Sequence, residues 1–464
     1  MKILYFNWVP TKAFSFDGGG VSVYQKNLLN YFSKKNNVDV YYLTTSYAYD
    51  LIKKEPYIRK CKRSEINGIK EFEIVNSPIL APSFFSFNKV NAYFVIDQTI
   101  TAIDEFIQSI GDIDVIHFNN LEGISARVLE LKHKYPTIKF VYSLHNYFPF
   151  CPQVNLWYRD KENCIDYFEG ERCKNCNLFP VDYKMKMFER SDFANLRHRK
   201  LSKIAGKVFS FFHKPEPFDT NPDFKFRREN YISLINNNID VVLCVSQRVK
   251  NIAVKMGVAP AKCMVQYIGT KHADYASDFP NIVSHNGTIT VGYLGYMRRD
   301  KGFYFLLDTL EKMPPKLADS MHIVIAAPIT DKSAYQRLIK LKSKFQSVKI
   351  FNGYKPENLK AILSSVNLGV VPVLWEDNLP QVALEFTAYG IPILTSDLGG
   401  AQEITMSKNF IFRAGDSNDF ILKLSRIISN KTSFSEFWPN KTEKHILTSV
   451  SDHCEALLKI YGTK

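Results

Sequence analysis

Two doubly wound α/β domains in series, facing each other across a cleft, are the architecture this 464-residue chain predicts. Three observations carry that expectation. From Thr288 onward, strand-like runs alternate with helical patterns at short intervals; the half before it alternates too, less regularly; and a polar stretch from about Thr270 to Gly287 separates the two. Such alternation argues for βα units, a parallel sheet and helices on both faces. Ligands of these sheets bind outside the carboxyl ends of the strands, so two such edges facing each other create a cleft.

The first domain, residues 1–270, opens on the strand-like KILYFNWV. Asp17, Gly18, Gly19 and Gly20 then separate it from the helical pattern VSVYQKNLLNYF. Glycines let a backbone approach a ligand closely, and the helix start that follows can receive a phosphate. A plain turn would look the same; position after the first strand is what favours a ligand loop. VDVYYLTT, DVIHFNN, RVLELKHKY and KFVYSLH continue the alternation, and VVLCVSQ and MVQYIG complete it after an interruption. His145 ends one of these strands and is followed by Asn146; His117 and Asn119 end the preceding one at a comparable height and rank second as candidates.

The interruption is an insertion at about 146–229, beginning NYFPFCPQVNLWYRDKENCIDYFEGERCKNC. Cys151, Cys164, Cys173 and Cys176 have 12, 8 and 2 residues between them. In a reducing compartment such grouping favours a tetrahedral metal over disulfides, and four thiolates would make a zinc site structural by leaving no open position. Loosely grouped thiols are the alternative, since only one pair has the tight C-x-x-C spacing. The insertion continues as YKMKMFERSDFANLRHRKLSKIAGKVFSFFHKP, where Lys and Arg alternate with apolar residues. That pattern suits an anionic membrane surface, and equally a solvated helix packing its apolar stripe on the domain.

The second domain, residues 271–432, runs VGYLGY, KGFYFLLDTLEKM, MHIVIAAP, AYQRLIKLKSKF, VKIFNG, PENLKAILSSV and LGVVPV. It ends in VPVLWEDNLPQVALEFTAYGIPILTSDLGG, which reads as a buried strand, a polar turn, a helix opening at Pro380 and a second buried strand. Asp377 and Glu385 lie eight residues apart, with Asn378, Leu379 and Pro380 between them where the backbone enters the helix. Unpaired N–H groups and a positive dipole end receive an anion there, while Glu385 can accept hydrogen bonds from vicinal hydroxyls. Phosphate below and polyol above describe a nucleotide-sugar site. The bland reading is an ordinary helix start, where acidic residues are common for dipole reasons. Residues 433–464 hold Trp438, Pro439 and an amphipathic helical pattern, expected to pack back across the first domain.

Composition is that of a globular protein, 45% hydrophobic and 23% charged. No apolar run reaches the roughly 18 residues of a membrane span, and Met1 leads directly into a strand, so a cytoplasmic protein is expected. Sixty basic against 46 acidic residues leave a formal charge of +14, which favours anionic partners: nucleotide phosphates, an anionic membrane face, a phosphorylated acceptor or nucleic acid.

The Asp377-to-Glu385 element resembles the acidic donor signature of the retaining family 4 glycosyltransferases, in which a Glu, seven residues and a second Glu bracket a helix start. Glu385 is the second Glu; Asp377 occupies the first position, with Glu376 beside it. VGYLGYMRRDKG is similar to the family's Gly-Arg-Leu…Lys-Gly element: Lys301 and Gly302 match, Tyr296 stands where the family has Arg, and Arg298 or Arg299 offers a replacement cation. Asp397, Leu398, Gly399 and Gly400 are like its second glycine turn. The glycine loop, His145, Lys301-Gly302, the acidic element and the terminal helix follow the family's order over essentially the whole chain. The DNLPQVALE form and the HNYFPFCPQVNL segment look like enzymes of bacterial surface polysaccharide synthesis, capsule or O-antigen.

The resemblance implies a GT-B fold and transfer of a glycosyl group, hexosyltransferase-like, from a nucleoside-diphosphate sugar to a saccharide hydroxyl with retention of configuration. It implies a polyprenyl-diphosphate-linked acceptor at the inner face of the cytoplasmic membrane, and no catalytic metal. His145, Asp377 and Glu385 take the catalytic places; Gly19, Gly20, Arg298, Lys301, Asn378, Leu379, Pro380 and Glu385 bind the donor. A basic zinc-containing nucleic-acid-binding protein is the rival from another class, though it leaves the clefts and Glu385 without a purpose; no nucleic-acid partner is therefore expected. An epimerase or a catalytically idle homologue is the rival within the fold.

Overall fold

The computed structural model describes residues 1–13, 18–50, 52–61, 64–87, 89–177, 183–190, 222–273, 287–438 and 446–463. Strands β1 (Lys2–Phe6), β2 (Asp39–Ala48), β3 (Tyr57–Lys60), β4 (Lys70–Val75), β5 (Val115–Phe118) and β6 (Lys139–Leu144) build most of the first sheet. A small hairpin, β7 (Trp157–Tyr158) and β8 (Glu162–Asn163), stands in the insertion; β9 (Val241–Cys244) and β10 (Cys263–Val265) then rejoin the sheet. Its order is β10-β9-β6-β5-β1-β2-β4-β3, parallel throughout except where β3 runs against β4. β1 buries Ile3, Leu4, Tyr5 and Phe6 almost completely, as a strand must when its sheet is covered on both faces.

After β11 (Gly269–Thr270), the second sheet is built from β12 (Ile289–Leu294), β13 (Met321–Ala327), β14 (Ser347–Asn352), β15 (Leu368–Val371), β16 (Ile393–Ser396) and β17 (Ile411–Phe412). Its order, β14-β13-β12-β15-β16-β17, is wholly parallel and reverses direction between β12 and β15. That reversal is the topological switch point, where the connections leave to opposite sides and open a crevice. β15 stops at Val371 rather than running on through Val373, because Pro372 has no N–H to continue a ladder.

β18 (Thr448–Ser449) pairs in parallel with β11 and leads into the terminal helix Val450–Gly462, whose start is capped by the Ser449 side chain accepting from Asp452 N–H. This helix returns to the first domain. Tyr24 hydroxyl lies 3.0 Å from His453 Nε2, Tyr31 hydroxyl donates to Glu455 Oε1 at 2.5 Å, and Tyr461 hydroxyl stands 2.8 Å from that of Tyr5.

Side chains also tie the two sheets' loops together. Ser246 Oγ, the cap of the helix Gln247–Lys255, donates to Asn378 O at 2.8 Å; Glu403 accepts from the N–H groups of Gln247 and Arg248 at 2.9 and 2.6 Å and from the Tyr267 hydroxyl at 2.8 Å. A carboxylate from the second domain thus sits at a helix start of the first, where the dipole favours it.

Candidate active site

The switch point of the second sheet holds the charged centre of the site. Lys301 lies in the turn after β12 and Asp377 in the turn after β15, so the strand order brings together residues 76 apart in sequence: Lys301 Nζ is 2.6 Å from Asp377 Oδ2. The lysine also lies 4.8 Å from the centre of the Trp375 ring. The helix expected from Pro380 runs Gln381–Ala388 with Pro380 as its cap, so Asp377, Asn378 and Leu379 form the turn that leads into it. No acidic residue occupies its first turn, which leaves the opening N–H groups available to a phosphate.

The glycine loop of the first domain meets this helix start. The helix Gly19–Phe32 begins within the loop, and a Cβ on Gly20 would stand 3.3 Å from Gln381 Cγ, while one on Gly19 would meet nothing within 4 Å. The loop therefore lies against the second domain on one side and open space on the other. Asp17 falls outside the described residues.

Glu385, the fifth residue of the helix, is held by the Tyr354 hydroxyl, which donates to its Oε2 at 2.6 Å. Burial pushes its carboxyl up to about 7, against a smaller lowering from that hydrogen bond. One carboxylate oxygen remains for a ligand hydroxyl.

Glu376 and Asp377, adjacent in sequence, have different surroundings. The Glu376 side chain is fully buried: Arg248 grips both its oxygens, with Nε 2.8 Å from Oε2, Gly399 N–H donates to it at 3.0 Å, and Asn163 Nδ2 donates at 3.3 Å. It is consumed by contacts between the domains, and Asp377 is the carboxylate that faces Lys301. The second glycine turn shapes this arrangement. Gly399 has φ +69°, and a Cβ there would lie 2.2 Å from Asp377 O. Only glycine fits both the left-handed backbone and the close approach.

On the first domain, His145 stands just beyond β6. Its Nε2 is 3.2 Å from Asn119 Oδ1, an acceptor, so that nitrogen carries the proton; the Tyr24 ring packs 4.5 Å away between centroids. Burial, then the neighbouring His453, lower its pKa to about 3, so the imidazole is neutral at physiological pH. His117 spends its ring nitrogens on the hydroxyls of Tyr461, at 2.6 Å, and Ser143, at 2.7 Å. That places it in the packing of the terminal helix.

Arg298 is turned to Asp300, with Nε–Oδ1 3.0 Å and Nη2–Oδ2 2.6 Å, and Arg299 reaches Asp160 of the insertion at 3.7 Å. Lys301 is thus the basic residue of this turn that reaches Asp377. Tyr296 is 53% exposed where an arginine was expected. The four cysteines of the insertion line a single pocket, whose Trp157 donates from Nε1 to Asp160 Oδ1 at 3.0 Å; among the described residues no three His, Cys, Asp or Glu side chains stand in a metal-holding group. Of the basic segment, Tyr183–Glu189 form a helix and Arg190 donates to Ser46 O and Ala81 O at 2.6 Å each; residues 191–221 lie outside the described residues.

Sequence reading missed Arg248, Tyr354, Tyr24 and Asn163. Each lies on a segment whose only local signal is an ordinary helix, strand end or turn, and each acquires its partner through topology.

Two facing sheets with a charged switch point define a GT-B fold. Solved structures agree: the Anabaena protein HepE in complex with UDP and glucose aligns with TM-score 0.56 at 13% identity over 100% of both chains, and sucrose-phosphate synthase from Thermosynechococcus elongatus with TM-score 0.56 at 14% identity over 99% of this chain and 98% of that one. The lipopolysaccharide outer core galactosyltransferase WaaB aligns with TM-score 0.52 at 12% identity over 100% of this chain and 96% of its own. Residues 288–430, which span the second sheet and its helices, match the family model described as Glycosyl transferases group 1. No curated protein matches the chain by sequence.

Proposed function

We propose that the chain transfers a glycosyl group from a nucleoside-diphosphate sugar to a hydroxyl of a saccharide acceptor, with retention of anomeric configuration. The observation that carries this reading is the Lys301–Asp377 pair at the switch point, beside a helix start that faces the glycine loop of the other domain. In the proposed complex the diphosphate lies against Lys301, the opening N–H groups of the helix Gln381–Ala388 and the loop at Gly19 and Gly20. Glu385 accepts from the ribose hydroxyls. Asp377 and the neutral His145 hydrogen-bond the donor sugar.

The anomeric carbon's bond to the phosphate oxygen breaks as the acceptor oxygen's bond to the same carbon forms on the same face. The acceptor proton passes to the departing phosphate oxygen. Negative charge grows on the diphosphate as it leaves, and a preorganised cation with oriented N–H groups stabilises it most at that moment. The site supplies this charge from Lys301 and the backbone, and the proposal includes no catalytic metal.

The retaining course rests on the likeness of the Asp377-to-Glu385 element to family 4. The proposed role in bacterial surface polysaccharide, capsule or O-antigen, with a lipid-linked acceptor at the inner face of the cytoplasmic membrane, rests on the likeness of the DNLPQVALE form and the HNYFPFCPQVNL segment to enzymes of that synthesis. No helix among the described residues is long and apolar enough to cross a membrane, so the proposed membrane contact is peripheral.

The test is to incubate the protein with a panel of UDP-, GDP- and ADP-sugars and follow the anomeric proton by NMR during transfer or slow hydrolysis. Release of nucleoside diphosphate with the donor's configuration kept supports the reading. An inverted product, or interconversion of the sugar without its release, contradicts it.

A further inference from the structure

The stretch from Cys151 to Cys176 holds its shape with little regular structure. It contains only the β7–β8 hairpin and two short turns of helix, and six of its non-glycine residues, Val154, Leu156, Arg159, Asp160, Phe168 and Glu169, have left-handed backbone. Residues adopt that conformation against steric cost and keep it only where their surroundings over-determine it. Leu156 and Trp157 pack into the main core, but the apolar cluster at the Cys173 end is small: Phe87, Val90, Cys173 and Phe224 are its buried members. A segment of this kind needs a staple.

The four thiols of Cys151, Cys164, Cys173 and Cys176 line one pocket with Trp157, Tyr167, Arg172 and Arg228. Arg228 is the unusual member. It is 6% exposed, its guanidinium lies 3.3 Å from the centre of the Tyr167 ring, its Nε donates to Phe150 O at 3.0 Å, and its Nη1 lies 3.5 Å from Met256 Sδ. Among the described residues no carboxylate stands within ion-pair distance of it. A buried cation without an anion is costly, and apart from the phenols of Tyr158 and Tyr167 the groups in this pocket able to become anionic are the thiols, the more acidic of the two kinds. Gln153 Nε2 donates to Cys176 Sγ at 2.7 Å, a second donor directed at sulfur.

We propose that Cys151, Cys164, Cys173 and Cys176 bind one structural zinc ion as four thiolates, with Arg228 and the Gln153 amide as outer partners of the sulfurs. Binding releases the four thiol protons and leaves a site of net charge −2, which offsets the buried guanidinium. The sulfurs have other partners in the present arrangement: Cys164 Sγ donates to Asp166 O at 3.3 Å, and the ion has to pull its ligands in from such positions. A staple here also bears on the cleft. Cys151 follows His145 by six residues, and the β7–β8 hairpin reaches the second domain through Asn163 on Glu376 and Asp160 on Arg299. Zinc would hold the strap that spans from the His145 loop to the turn bearing Asp377. Metal content is measurable whatever the protein transfers, so failure here and failure of the transferase reading are distinct results.

The experiment is metal analysis of the full chain purified under reducing conditions without chelator, followed by exchange of the ion for Co²⁺. One zinc per chain is expected in the wild type and in Cys61→Ser, whose thiol lies outside the strap, and is expected to be lost in Cys173→Ser with Cys176→Ser. Because that double variant can fail to fold, the deciding measurement is on the wild type: Co²⁺ should give the thiolate charge-transfer band and the intense visible bands of a tetrahedral all-sulfur site. Four freely titrating thiols with no zinc or cobalt taken up would overturn the proposal. So would an intact mass showing these cysteines paired as disulfides, or a cobalt spectrum without thiolate charge transfer.

Discussion

Lys301 Nζ lies 2.6 Å from Asp377 Oδ2, an ion pair that joins the turn after β12 to the turn after β15 across the switch point of the second sheet. The two residues have separate duties in the proposed mechanism, and mutation should separate them. Lys301→Ala should lower kcat by about 10²- to 10³-fold, the range seen when one donor to a developing charge is removed, and should weaken nucleoside-diphosphate binding in calorimetry. Asp377→Asn should lower transfer while leaving affinity for the bare nucleoside diphosphate within a few-fold of wild type. Equal loss of nucleotide binding in both variants would contradict the division.

Glu385 titrates in the physiological range, and the sign of its effect follows from its partners. Ligand hydroxyls donate to the ionised form, so donor affinity should rise as pH climbs from 6 to 8 through the carboxyl's value of about 7. Stability of the free protein should run the other way. The folded-state pKa is raised above the unfolded value near 4.5, so the native state binds more protons between those values and loses stability as pH rises through that window. Calorimetry against pH checks the first and thermal melts check the second. Glu385→Gln should flatten both profiles, and Tyr354→Phe, which removes the donor at 2.6 Å, should shift the binding profile to higher pH.

His145 should contribute no ionisation to the activity profile between pH 5 and 9, because burial keeps its imidazole neutral there, with a pKa of about 3. His145→Ala should still lower transfer, by roughly 10- to 100-fold for a lost orienting hydrogen bond in the site, without abolishing nucleotide binding. A pH–rate limb that disappears in this variant would show that the histidine titrates after all.

Arg248 and Glu376 carry the contact between domains. Arg248→Met strips the buried carboxylate of its cation, which costs up to about 3 kcal/mol given that the arginine itself is partly exposed. Adding Glu376→Gln to Arg248→Met should recover part of that loss, since the unpaired charge is then gone. A double-variant melt no better than that of Arg248→Met would mean the pair is not the source of the stability.

Comparison of these residues shows what is legible in a sequence and what is not. The alternation of strands and helices, the glycine loop, Lys301, Asp377 and Glu385 announce themselves because each is encoded locally, by periodicity or by residue type at a strand end. The partners that give them meaning are not local. Arg248 meets Glu376 across 128 positions, and Tyr354 meets Glu385 across 31, because strand order folds those segments together. Two adjacent acids do not reveal which of Glu376 and Asp377 serves the site; that depends on which side of the turn faces Arg248. Arg298 reads as a free cation in RRDK, yet Asp300, two residues away, holds it.

The most direct measurement is thermal-shift and calorimetric binding of UDP, GDP and ADP, with and without a sugar, to wild type, Lys301→Ala and Glu385→Ala. One nucleotide family should stabilise the wild type, and each variant should lose that stabilisation while remaining folded. A folded wild type that binds none of them, or binds them unchanged after both substitutions, would contradict a donor site at the Lys301–Asp377 switch point.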